Sequence, residues 1–318
     1  MAEFADIKTG YSCNNDCIHC VIADKRRLLL KQNRPLDRTT AEVKEQMYLA
    51  KQDGMKHVVL TGGEVTIRGD VFELMDYAHK LGFSIALQTN GRMFYYKEFA
   101  EQLSKITDIS YVIALHGHNA ELHDSISRIK GSFNQTVQGI KNLKELNQKI
   151  SGKVVISKKN YKYLTNLLSL FNKLGIKNVN MAFPHGQGNA LLYFDNVIPF
   201  YSELKPYVHK TIELANKLNI WIDFEAIPFC FMQGYEKHVS ELRMMDREIQ
   251  LRDVVVIDLD FAQTRRNIAK KKAESCKECK YFLICEGPWR EYPEKRGFGE
   301  FKPVKGKRIT NIGEIESK

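Results

Sequence analysis

Apolar and polar positions along this chain switch repeatedly between two periods. Short runs rich in β-branched and aromatic residues alternate with longer stretches whose apolar residues recur at helical spacing. The short runs read as buried strands: His57 to Leu60, Phe83 to Leu87, Ile109 to Leu115, Val154 to Ser157, Val179 to Phe183 and Ile220 to Phe224. The longer ones read as helices: Ala41 to Lys51, Val71 to Leu81, Phe94 to Ser104, Asn134 to Leu146, Leu164 to Leu174 and Tyr201 to Leu218. Thr39 or Thr40 can cap the first helix, with Glu42 or Glu45 in its first turns, and Gly54 suits a left-handed end. Strand and helix in succession predict right-handed βαβ units, a parallel sheet and an α/β fold. From about Ile227 the alternation stops, dividing the chain into 1–226 and a second region, 227–318, expected to run through charged, largely helical sequence.

Folds of this kind keep their chemistry at the C-terminal ends of the strands. The residues there are Thr61-Gly62-Gly63-Glu64, Gln88-Thr89-Asn90-Gly91, His116-Gly117-His118, a polar rim of Lys158, Lys159 and Asn160, and Pro184-His185-Gly186. Glycines after a strand let the backbone approach a ligand, and the Glu64 carboxylate beside them can receive an ammonium group. Alone, the same pattern also describes a plain turn. His116, His118, His123 and His185 are candidates for substrate binding or proton transfer, or simply hydrogen-bonded loop residues.

The chain has 318 residues and a formal net charge of +10, with 43% hydrophobic and 27% charged residues, ordinary values for a folded domain. The positive excess would suit an acidic or polyanionic partner, and it also describes solvated helix faces. Its densest clusters are Lys25 to Arg38 and Arg265 to Lys272. No apolar run approaches the length of a membrane span, and Met1 to Gly10 carries no apolar export core. Seven cysteines in that context point to a reducing cytoplasm and to metal ligation.

Cys13, Cys17 and Cys20 stand close together, spaced by three and then two residues. Four thiolates close an iron–sulfur site, so three leave one iron open to a further ligand. Zinc held with His19 is an alternative, against which stands the adjacency of His19 to Cys20. A disulfide would leave one thiol over.

This spacing, with His19 at the commonly aromatic position before the third cysteine, resembles the radical S-adenosylmethionine (SAM) superfamily. The resemblance implies a partial (β/α)6 TIM-like barrel whose [4Fe–4S] cluster is bound by Cys13, Cys17 and Cys20, with SAM on the open iron. Reduction then cleaves SAM to a 5′-deoxyadenosyl radical. It also implies that Gly62, Gly63 and Glu64 hold the methionyl amino group, that Asn90 lies near SAM, and that Arg128 faces the SAM carboxylate or adenosine. One departure is Ala114, where strand four of the family often ends in a SAM-bonding serine.

Cys276, Cys279 and Cys285 follow, with Cys230 arriving from a distance. Four thiolates suit a closed cluster or zinc. The spacing is similar to SPASM and twitch extensions, and the count matches the twitch form with one auxiliary [4Fe–4S] cluster in 227–318. If Cys230 is not a ligand, the arrangement is closer to the molybdenum-cofactor GTP cyclases. The resemblance implies hydrogen-atom abstraction for peptide maturation or small-molecule oxidation, with a flavodoxin- or ferredoxin-type reductant. A tRNA- or nucleotide-modifying enzyme remains open, as does a zinc-stapled binding protein.

Overall fold

The structure, a computed structural model, describes residues 3–244 and 247–316, so the outermost residues of both expected regions lie outside it. Among the described residues the strands form one sheet in the order β7-β6-β5-β4-β3-β2-β1-β8-β9. The strands are β1 (Phe4–Lys8), β2 (His57–Thr61), β3 (Ser84–Thr89), β4 (Ile109–Ala114), β5 (Lys149–Val155), β6 (Asn178–Ala182), β7 (Trp221–Glu225), β8 (Ile249–Arg252) and β9 (Ile257–Asp258). From β7 to β8 every pairing is parallel, and only β9 runs antiparallel. Among the described residues the sheet does not close, as expected for a partial barrel.

Helices α1 (Ala23–Lys31), α2 (Thr40–Gln52), α3 (Val71–Lys80), α4 (Lys97–Ser104), α5 (Ala120–Ser127), α6 (Ser132–Glu145), α7 (Leu164–Lys173), α8 (Gly188–Leu192), α9 (Phe194–Val197) and α10 (Tyr201–Lys217) connect the strands. Thr39 caps α2 through a reciprocal capping box with Glu42, and Gly54 just beyond takes φ 84°. The apolar face of each long helix is buried on the sheet: Leu74, Met75 and Ala78 of α3 share one core with Val58 and Leu60 of β2. Complete burial of a side chain such as Leu60 contributes about 1.5–3 kcal/mol.

Three differences from the sequence reading matter for the site. β1 was not expected; its alternation buries Ala5 and Ile7 and turns Asp6 and Lys8 the other way, where they pair at 2.8 Å. β5 starts earlier than expected, through the polar run Lys149 to Lys153, and Gly152 leaves room there for the Phe171 ring. The stretch after Ile227 is not largely helical: it runs through short 3-10 turns and then supplies β8, which pairs with β1 from Phe4↔Ile249 to Ile7↔Arg252. Just beyond β8, the buried Asp253 accepts hydrogen bonds from Tyr11 and Lys25, and its carbonyl accepts one from Arg38.

Candidate active site

The loop after β1 carries Cys13, Cys17 and Cys20 and is held from four sides. Gly63 N–H donates to the Gly10 carbonyl and Glu64 N–H to the Ser12 carbonyl, each at 2.8 Å. The paired glycines are needed for that approach, because a Cβ on Gly63 would lie 2.0 Å from the Ser12 carbonyl oxygen. From the turn after β3, Arg92 donates to the Asn14 carbonyl and, at 2.8 Å, to Asn15 Oδ1. From α5, the Ser127 and Ile126 carbonyls accept from Asp16 and Ile18 N–H, both at 3.0 Å. From α8, Asn189 donates through its backbone to the Cys20 carbonyl and through its side chain to the Cys17 carbonyl, both at 2.9 Å.

All seven cysteines are free thiols. Burial pushes the Cys13 thiol up to about 12 and raises Cys17 and Cys20 as well. A metal centre here would therefore displace protons as it binds. All three line a cavity of about 440 Å³ that opens along the C-terminal ends of the strands.

Gly62, Gly63, Glu64 and Asn90 line the same cavity. The Glu64 carboxylate, fully buried, accepts from Thr66 N–H and hydroxyl at 3.1 and 2.6 Å, from the Thr89 hydroxyl at 2.7 Å and from Asn90 N–H at 2.7 Å. Burial raises its pKa and these donors only partly oppose it. Glu64 thus joins the β2 turn to the β3 turn, and Asn90 continues the chain of contacts to Asn14 Oδ1 at 2.6 Å.

Arg128 lies elsewhere. With φ 60° at the end of α5, it bonds Asp16 at 3.1 Å, stacks over Tyr193 at 4.9 Å and is not among the cavity-lining residues. It braces the cysteine loop from outside. Ala114 does line the cavity and brings no polar side chain. His116 and His185 line it too, whereas His118 packs on Tyr163 and His123 is buried with its Nδ1 accepting from the His116 backbone at 3.1 Å. Asn160 is no rim residue: it is fully buried, donating to the His116 and Val155 carbonyls at 3.0 Å.

Sequence reasoning missed the opposite wall. Lys153 of β5 pairs with Glu225 of β7 at 2.8 Å inside the cavity, and Arg265 lies 3.6 Å from Glu225. Burial would raise the Glu225 pKa, but Lys153 and Arg265 outweigh it and hold it at about 2. Phe261 and Trp289 close this side, with Trp289 stacked on His185 at 3.9 Å and under the buried Lys270 ammonium at 3.8 Å. Charged side chains within buried parallel strands, as at Lys153 and Glu225, are the signal that could have found this wall.

Cys230, Cys276, Cys279 and Cys285 line a second, small cavity of about 30 Å³. Burial raises the Cys230 pKa, and the other three thiols add to the rise. Val304 N–H donates to Cys279 Sγ at 3.3 Å, and Phe298 and Phe301 complete the wall.

The Radical SAM superfamily pattern matches residues 7–171, just over half of the chain. The AdoMet-dependent heme synthase of Methanosarcina barkeri is 27% identical over 221 residues, 69% of this chain and 60% of that protein. Mycofactocin maturase MftC of Mycolicibacterium smegmatis is 30% identical over 216 residues, 67% of this chain and 49% of that one. The chain thus spans about half to three-fifths of the length of these relatives. Streptococcus suis SuiB bound to precursor peptide SuiA shares the fold, with TM-score 0.66 and 16% identity over 97% of this chain and 75% of that one. The anSMEcpe enzyme with bound AdoMet does so with TM-score 0.62 and 14% identity over 98% and 93%. The family pattern runs from β1 into α7, across the cysteine loop and the turns that grip it, and the chain belongs to the radical SAM superfamily.

Proposed function

We propose that this chain uses SAM and a [4Fe–4S] cluster at Cys13, Cys17 and Cys20 to abstract a hydrogen atom from a peptide, assisted by an auxiliary [4Fe–4S] cluster at Cys230, Cys276, Cys279 and Cys285. The carrying observation is that the seven cysteines fall into a set of three on one cavity and a set of four around another. Membership of the family implies the first cluster and SAM. The residues fit: three soft sulfur donors on one loop stand beside a cavity of a size that suits a small organic ligand. When bound, cluster and SAM supply the hydrogen-abstracting radical. Gly63 and Glu64 keep the cysteine loop in register, and Asn90 offers polar atoms beside it.

The wall of Lys153, Glu225, His185, Phe261 and Trp289 is the substrate side. A peptide is favoured because one relative is named a maturase and one structural neighbour is bound to its precursor peptide. The similarity to a heme synthase favours a tetrapyrrole as the second reading. Cys230 sharing a cavity with the other three thiols supports a closed auxiliary site in 227–318 over the three-thiolate arrangement. A cleft beside Cys230 presents Lys205, Lys302 and Lys305, a surface suited to an acidic flavodoxin- or ferredoxin-type carrier in the cytoplasm. Among the described residues no helix is long and apolar enough to cross a membrane.

The test is iron and sulfide content with electron paramagnetic resonance, with and without SAM, for the wild type and for a variant with Cys13, Cys17 and Cys20 all replaced by Ala. About eight irons falling to about four, with only the lost signal responding to SAM, is expected. Zinc in place of iron in the wild type would refute the reading.

A further inference from the structure

Cys17 Sγ and one ring nitrogen each of His19 and His116 lie within 4.8 Å of one another. By distance alone this trio could hold a metal ion. The hydrogen bonds of His116 argue for a different role. Val155 N–H donates to His116 Nδ1 at 3.2 Å, so Nδ1 is an acceptor and the ring proton sits on Nε2. A nitrogen that carries a proton has no lone pair for a metal and can only donate.

The ring is also held firmly. The His116 backbone N–H donates to His123 Nδ1 at 3.1 Å, its carbonyl accepts from Asn160 at 3.0 Å, and His19 packs edge-on against it with centroids 4.5 Å apart. His116 is 4% exposed and lines the cavity beside Cys17. Nothing in the proposed chemistry yet uses that donor.

We infer that His116, with a ring nitrogen within 4.8 Å of the Cys17 sulfur, is a positioning residue whose Nε2–H donates to that sulfur once the centre is bound and raises the reduction potential of the three-cysteine centre. Hydrogen bonds to cluster sulfurs are among the terms that set such potentials. A donor stabilises the more negative reduced state, and does so strongly in a site shielded from water. The inference rests on the cluster reading above.

Its test is a redox titration of the SAM-responsive resonance signal in the full chain, comparing wild type with His116→Leu and His116→Gln. Removing the donor should shift the one-electron equilibrium about tenfold against reduction, about 59 mV lower, while His116→Gln, which keeps an N–H donor, should stay near wild type. A second measurement needs no variant: electron nuclear double resonance on the reduced wild type labelled with nitrogen-15 histidine, without SAM. It should show a weakly coupled nitrogen and an exchangeable proton, and it decides the matter if His116→Leu takes up no iron. An unmoved potential at full iron content, a directly bound histidine nitrogen, or no histidine coupling overturns the inference alone. Wild type without iron overturns the cluster reading and this inference together.

Discussion

A single methyl group added at Gly63 tests how the cysteine loop is held. The new Cβ of Gly63→Ala would lie 2.0 Å from the Ser12 carbonyl oxygen and 2.7 Å from the Tyr11 carbonyl carbon, both backbone atoms. Ordinary contact begins at 3.4 Å, so the two loops must part by more than an ångström. That separation breaks the Gly63-to-Gly10 and Glu64-to-Ser12 hydrogen bonds. Two bonds at about 1 kcal/mol each, added to about 1–3 kcal/mol for overpacking, give a loss of about 3–5 kcal/mol. Gly69→Ala is the control, since a Cβ there meets nothing within 4 Å. It should be neutral, or stabilising by up to about 1 kcal/mol through the unfolded chain. Urea unfolding of the reduced, metal-free chain measures the difference, and iron uptake measures its consequence for the loop. Two alanine variants within about 0.5 kcal/mol of each other, with equal iron content, would refute the idea that the glycines serve the contact between loops.

Glu64→Gln places an amide against donors that now face a carboxylate oxygen, and should cost about 2–3 kcal/mol in the same unfolding assay; a neutral result would show that the β2 and β3 turns do not depend on it. His123 gives a pH signature. Burial lowers its pKa from 6.5 to about 4, so between those values the unfolded chain binds a proton that the folded chain does not. Stability from this group is complete above pH 6.5 and falls by about 1.4 kcal/mol per pH unit towards pH 4, a slope that His123→Asn should reduce. Cys279→Ala should remove about four irons and stop product formation while SAM cleavage continues; unchanged turnover would sink the auxiliary-cluster reading.

The alternating periods make most of the barrel legible in the sequence, because six strands are apolar runs and their helices are amphipathic. What they concealed were strands that do not look buried. In β1 the charges of Asp6 and Lys8 hide a strand whose other face is core, and in β5 Gly152 and Lys153 break an apolar run. β8, with Gln250 and Arg252, reads as a charged surface segment, yet both side chains are buried through bonds to each other, to Gln46 and to Asp53. The cysteine spacings named both candidate centres from sequence alone. The wall of Lys153, Glu225 and Trp289 is fainter, since it is assembled from three distant stretches of chain and only the charges within β5 and β7 point to it. Arg128 shows the converse: a residue chosen by its place in a pattern turns outward because its neighbour Asp16 and the ring of Tyr193 hold it there.

The pairing of β8 with β1 bears on how such proteins can be assembled from parts. If the cysteine-rich end were a detachable module, it could be exchanged among barrels by joining chains near residue 227. Here such an exchange would remove the strand that covers β1 and the Asp253 latch on Tyr11, Lys25 and Arg38. The bared edge would be open to pairing with other chains. Moving the join downstream of β8 and Asp253 keeps both with the barrel but parts Cys230 from Cys276, Cys279 and Cys285, so the two ends of this chain are interlocked rather than joined at a single seam.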